Sequence, residues 1–266
     1  MELSYCAYGN GEPLVILHGL LGSSDNWHSI CTQLGQSFRV LALDQRNHGR
    51  SPHSAEMNYS VMAQDVNQVL QRENMPWAHV LGHSMGGKTA MQLALSFAEK
   101  VGKLIVVDIA PRAYPPYHDK ILSALLGLEL AQFRTRTQVQ EALAGAIPDL
   151  TLRQFLLKNL GQDDRGRLYW KIGLAEVNQS YNWLREALLS EFSFPKPALF
   201  INGERSQYLG QQDEALIRSL FPRARFQTIG GAGHWVHVER PRAFLKAVTD
   251  FLHDAEAKGS PGAANQ

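Results

Sequence analysis

The sequence predicts an α/β protein, a mostly parallel sheet with helices on both faces, and three observations carry that prediction. Short apolar runs recur at Leu14-Val15-Ile16-Leu17, Val40-Leu41-Ala42-Leu43, Ala78 to Leu81, Leu104-Ile105-Val106-Val107 and Ala198-Leu199-Phe200-Ile201. They have strand length and no polar alternation, as strands buried on both faces do. Stretches of helical periodicity separate them, which is the rhythm of a parallel sheet. Third, His18, Asp44, Ser84 and Asp108 each follow a strand, at the carboxyl edge where such sheets collect their chemistry.

Taken in order, Leu3 to Tyr8 alternates apolar and polar residues and ends at Gly9-Asn10-Gly11, a hairpin-type turn signal. The strand Leu14 to Leu17 then runs into His18-Gly19-Leu20-Leu21-Gly22-Ser23, whose glycines leave backbone N–H groups free to face a ligand. Ser24 or Asp25 caps a short helix carrying Trp27, Ile30 and Leu34. After Val40 to Leu43 comes Asp44-Gln45-Arg46-Asn47-His48-Gly49-Arg50-Ser51, in which Asp44 and Arg46 are spaced to pair with each other or with loop backbone. Met62, Val66, Val69 and Leu70 form one stripe of a helix expected over Ser60 to Glu73. Leu104 to Val107 ends at Asp108.

From about Pro111 to Ser193 the pattern is helical without strands, with Ile121, Leu125 and Leu128 on one face and Leu152, Phe155, Leu156 and Leu160 on another. Basic and acidic residues nearly balance there, so the segment has no bias towards polyanions and reads as a lid over a site. The sheet resumes at Ala198, with a helix over Gln211 to Phe221, a strand over Arg225 to Ile229 and a last helix burying Phe244, Val248, Phe251 and Leu252. The expected organisation is a core of residues 1–110 and 194–255, a helical lid of residues 111–193 and a flexible tail of residues 256–266.

Composition narrows the function classes. The 266 residues carry 26 Lys and Arg against 25 Asp and Glu, so neither nucleic acid nor an anionic membrane surface is expected as a partner. The amino terminus lacks a basic region and an apolar core, and no apolar run is long enough to span a membrane, which predicts a cytoplasmic protein. The two cysteines, Cys6 and Cys31, are too few for a disulfide framework and offer no metal-ligand spacing.

The chemistry centres on Gly82-His83-Ser84-Met85-Gly86. A strand precedes it, and the small-residue helix of Ala90, Leu93, Ala94 and Phe97 follows. This is the pattern of a nucleophile elbow, in which a serine sits at the apex of a strained turn with its hydroxyl exposed. The glycines are needed because strand and helix approach too closely for a Cβ. A serine hydroxyl attacks at neutral pH only if a base takes its proton, and the base needs a carboxylate to hold its tautomer. His234 is the candidate base, delivered by Gly230-Gly231-Ala232-Gly233 after a late strand. Asp108 is the candidate acid, because the strand after the elbow should end beside it, and Glu204 is the rival. An oxyanion hole needs two backbone donors, expected from Met85 and Leu20. Trp170, Trp183 and Trp235 are the expected substrate-binding residues.

These motifs carry a resemblance. His18-Gly19-Leu20-Leu21-Gly22, Asp44-x-Arg46-x-x-Gly49-x-Ser51, Gly82-His83-Ser84-Met85-Gly86-Gly87 and Gly233-His234-Trp235 together resemble the α/β-hydrolase superfamily over nearly the whole chain. Val107-Asp108-Ile109-Ala110-Pro111 and Gly231-Ala232-Gly233-His234-Trp235-Val236-His237 are similar to the small bacterial esterases of the YbfF type. The resemblance implies the α/β-hydrolase fold and a serine carboxylester hydrolase acting through an acyl-enzyme on short to medium acyl esters, with thioesters also open. It implies neither cofactor nor metal. The position where many superfamily members keep the triad aspartate, counted from Gly203, is Ser206, which leaves Asp108 to match the aspartate of the YbfF-type segment. C–C bond hydrolysis, cofactor-free perhydrolysis and a non-catalytic ligand-binding role are the alternatives on the same scaffold.

Overall fold

The computed structural model describes residues 1–254; the tail expected over residues 256–266 lies outside them. Nine strands and ten α-helices follow one another among the described residues. In chain order the first elements are β1 (Tyr5–Tyr8), β2 (Glu12–Leu17), α1 (His28–Leu34), β3 (Phe38–Leu43), α2 (Tyr59–Arg72), β4 (Ala78–His83), α3 (Met85–Ser96) and β5 (Val101–Val107). An insert then carries α4 (Asp119–Leu126), α5 (Arg136–Ala142), α6 (Leu150–Leu156), β6 (Leu160–Gln162), β7 (Leu168–Trp170) and α7 (Leu174–Arg185). The chain closes with β8 (Ala198–Gly203), α8 (Glu214–Leu220), β9 (Ala224–Ile229), α9 (Val236–Glu239) and α10 (Pro241–His253).

Seven strands form one sheet in the order β1-β3-β2-β4-β5-β8-β9, and every pairing except β1 with β3 is parallel. The sheet is buried on both sides, as the uniform apolar runs predict. Val15, Leu17, Val80, Leu104, Val106 and Phe200 face α2, α3 and the insert. Leu14, Ile16, Leu81, Ile105, Val107 and Ile201 face α1 and α10. No helix among the described residues is long and apolar enough to cross a membrane.

Two expectations are corrected and a third, left between two partners, is resolved. The Gly9-Asn10-Gly11 turn does not make a hairpin: β1 pairs with β3 in register Tyr5 to Leu43 and Tyr8 to Val40. Gly9 adopts φ +63, and a Cβ there would lie 1.9 Å from the Gly35 carbonyl oxygen, so the turn packs on the end of α1 and carries β2 past its neighbour. Of the two arrangements expected for Asp44 and Arg46, the structure has the pairing with loop backbone, Arg46 donating to the Glu56 carbonyl, and not the pairing with each other. Asp44 accepts the Ser24 and Arg50 backbone N–H groups at 2.7 and 3.0 Å, whereas Arg46 Nε reaches Asp65 Oδ2 at 2.7 Å. The insert is not purely helical either, because β6 and β7 form a two-stranded antiparallel ribbon. Runs of three residues leave no periodicity to read.

The insert is fastened over the carboxyl edge of the sheet. Asn159 Nδ2 donates to the Leu21 carbonyl at 2.7 Å, Tyr59 Oη to the Leu184 carbonyl at 2.8 Å and the Gly173 N–H to the Asn47 carbonyl at 2.9 Å. The loops that hold the candidate chemistry therefore lie between sheet and insert.

Candidate active site

Ser84 stands where β4 turns into α3, with φ 52 and ψ −117. That left-handed backbone is strained for a residue with a Cβ, and it persists because the surroundings fix it. The Ser84 N–H donates to the Val107 carbonyl at 3.0 Å, and its own carbonyl accepts the Lys88 N–H at 3.1 Å. The elbow closes tightly enough that a Cβ on Gly82 would fall 2.1 Å from the Gly86 carbonyl oxygen.

His234 follows β9 and the glycine turn, and its side chain stays 22% exposed. Its Nδ1 lies 2.7 Å from Asp108 Oδ2. Asp108 is fully buried at the end of β5 and accepts two further hydrogen bonds, from the Gly203 N–H at 3.2 Å and from the Ser206 hydroxyl. Its carboxylate is thus held by donors on β8 and the following loop while facing the imidazole. Glu204 has a different occupation. It is exposed, and its Oε2 accepts the Gly231 N–H at 2.7 Å, bracing the turn before His234.

Ser84 and His234 line one cavity of about 240 Å³, with Leu20, Trp27, Ile121, Leu152, Phe155 and Trp235 among its mostly apolar walls. Leu20 and Met85 flank Ser84 in a second, smaller recess. No protein acceptor among the described residues takes the Leu20 or Met85 backbone N–H. Both remain available to an oxygen beside Ser84.

Of the three tryptophans, only Trp235 reaches the cavity, where its ring lies 5.5 Å from that of Phe155. Trp170 sits in the β6–β7 ribbon, half-buried against the apolar core, with its indole N–H unpartnered. Trp183 is 61% exposed on the outer side of α7. An aromatic in the insert could face the cavity, the ribbon or solvent, and residue type alone does not choose.

Other groups at the site were not singled out by sequence. Tyr208 stacks on His234 with ring centroids 4.0 Å apart and planes 24° apart. Ser206 fills the customary aspartate position and donates to Asp108 instead, so its place in the pattern was the signal and its partner was not. The flanking histidines are structural. His83 Nε2–H donates to the His234 carbonyl at 2.9 Å, and burial holds its pKa well below the ordinary value. His18 Nε2 accepts the Gln45 N–H and His48 Nε2 the Leu21 N–H. His237 stacks on Trp27 at 4.0 Å, and burial, with His234 nearby, pushes it down to about 3. His18, His48 and His83 brace loops through these bonds, and burial lowers the pKa of all four.

Comparison with known proteins gives the same outline. Residues 12–241 match the family model described as alpha/beta hydrolase fold. The chain is 37% identical over 266 residues to an sn-1-specific diacylglycerol lipase ABHD11 of Xenopus tropicalis, covering 96% of this chain and 83% of that one. It is 34% identical over 250 residues to esterase YbfF of Escherichia coli, covering 92% and 94%. A solved structure of a marine microorganism esterase superposes with a TM-score of 0.92 at 40% identity, covering 94% of this chain and 99% of that one.

Proposed function

The chain belongs to the α/β-hydrolase family, and from that premise we propose that it is a serine carboxylester hydrolase with Ser84 as nucleophile, His234 as base and Asp108 as acid. Its substrates are short to medium acyl esters, and acyl thioesters fall within the same chemistry. The observation that carries the reading is the 2.7 Å contact between His234 Nδ1 and a fully buried Asp108 carboxylate, with His234 sharing a cavity with Ser84. Relatives named as an esterase and a lipase support ester hydrolysis at the coarser level.

The residues act in sequence. Asp108 accepts the Nδ1–H of His234, which leaves Nε2 with a free lone pair for the Ser84 proton. Ser84 Oγ adds to the ester carbonyl, and the oxygen, now negative, is met by the Leu20 and Met85 N–H groups. The tetrahedral adduct collapses to an acyl-Ser84, and His234 passes its proton to the departing alcohol. A water activated by the same nitrogen attacks the acyl-enzyme, releasing the carboxylic acid and restoring Ser84. The buried Asp108 charge stabilises the transient imidazolium in both halves. The insert of residues 111–193 acts as the lid, contributing Ile121, Leu152 and Phe155 to the cavity wall.

Hydrolysis of p-nitrophenyl esters from two to sixteen carbons, beside acyl-CoA thioesters, tests the proposal. Wild type should turn over part of this series, and folded Ser84→Ala should lose more than about 10³-fold in kcat. Undiminished turnover by Ser84→Ala would refute it.

A further inference from the structure

The smaller recess beside Ser84 is lined by basic side chains and by no carboxylate. Lys88 and Arg185 line it together with tyrosines. Lys88 lies one turn of α3 beyond the nucleophile and is 1% exposed. Its ammonium donates to the Glu186 carbonyl and sits 5.5 and 5.1 Å from the ring centroids of Tyr59 and Tyr114. Arg185 gives Nη1 to the Tyr114 carbonyl at 3.1 Å and Nη2 to Asn182 Oδ1 at 2.9 Å, and its buried Nε has no acceptor. Among the described residues neither cation lies within ion-pair distance of a carboxylate. Burial, with Arg112 nearby, pushes the Lys88 ammonium down to about 7, and the Glu186 carboxylate opposes that shift only in part. A buried ammonium and a half-buried guanidinium whose Nε has no acceptor, at the wall of a recess that opens on a nucleophile, are satisfied by an anion brought in with the substrate.

The side of the ester follows from proton delivery. His234 must protonate the departing oxygen, so the leaving group occupies the larger cavity, which His234 lines, and the acyl substituent enters the recess that it does not line. That recess has room for about three water-sized groups, which narrows the acyl range proposed above to its short end and is enough for a carboxylate on a very short chain.

We propose that the recess is a carboxylate subsite on the acyl side, so that monoesters of short dicarboxylic acids are preferred substrates, with Lys88 and Arg185 as the binding residues. This rests on the Ser84 reading above. A structural tether through Glu186 would fasten the insert without distinguishing a charged acyl group from a neutral one of the same shape, and the experiment separates the two.

Monomethyl succinate and methyl 4-methylpentanoate present acyl groups of matched shape, charged and neutral, and proton release follows both. Wild type should favour the succinate monoester by at least about tenfold in kcat/KM, and Lys88→Met should reduce that ratio by about tenfold or more, mainly through KM. Arg185→Gln should lower the ratio in the same direction and serves if Lys88→Met does not fold. Equal or inverted preference in wild type, or a ratio unmoved in a folded variant, overturns the subsite while leaving the esterase reading intact. Failure of wild type to hydrolyse either ester, or any member of the p-nitrophenyl series, would overturn both.

Discussion

Replacing Asp108 by asparagine should lower kcat by about 10³ to 10⁴-fold, because an amide neither fixes the His234 tautomer nor stabilises the imidazolium. Glu204→Gln should cost less than about tenfold, since Glu204 accepts the Gly231 N–H whereas His234 Nδ1 is taken by Asp108. Steady-state kinetics on the two folded variants checks the ranking, and the reverse order would move the acid to Glu204. At this scale much of the candidate site's geometry was legible. Ser84 was marked by two glycines whose Cβ atoms would strike opposing backbone, and His234 by the glycine turn that delivers it. Asp108 was legible from its place at a strand end. Ser206 was legible only as a departure, because its value lies in a hydrogen bond to a carboxylate 98 positions away. Trp170 and Trp183 were misplaced since an indole suits a ribbon or an outer helix face as well as a cavity.

Among the elements, α10 is fastened by a feature that hydrophobic pattern alone does not reveal. Lys103 on β5 is buried, and its ammonium donates to the carbonyls of Phe251, Leu252 and Asp254 at 3.0, 2.7 and 3.0 Å. These are carbonyls at the end of a helix, which lack intrahelical donors and carry the negative end of the dipole. Lys103→Met removes the charge and strands the acceptors. It should destabilise the protein by about 2 to 4 kcal/mol, a drop of roughly 5 °C or more in Tm. An unchanged melting temperature would mean that the cap contributes nothing. Element types were readable where periodicity was long, as in α2 and α10, whose stripes face the core. The partner of β1 was not, because the turn signal at residues 9–11 says that the chain reverses and leaves open which strand receives it. The ribbon of β6 and β7 was hidden for want of length.

For the whole molecule, the concentration of neutral histidines beneath the carboxyl edge sets a pH dependence of stability. His48 and His237 are pushed down to about 3 and His118 to about 4, in each case chiefly by burial, and burial also lowers His83 and His18. Their ordinary value is 6.5. As the pH falls below that value the unfolded chain takes up protons that the folded chain refuses, so stability falls with falling pH. Above about pH 6.5 the contribution is fully present. At pH 5, His48 and His237 alone cost on the order of 2 kcal/mol each. Thermal unfolding should therefore give a Tm at pH 5 lower than that at pH 7 by about 5 °C or more; equal values would contradict it.

The same folded shape brings Ser84 and His234 from distant parts of the chain to one cavity, with the buried Asp108 behind His234, and covalent trapping asks whether the three act together. Wild type treated with a fluorophosphonate should gain one adduct by intact mass, mapped to Ser84 by peptide sequencing. Labelling should be absent in Ser84→Ala, slowed by at least about 10²-fold in Asp108→Asn and little changed in Glu204→Gln. An adduct on another residue, or equal labelling rates in wild type and folded Asp108→Asn, would contradict the assignment of the triad.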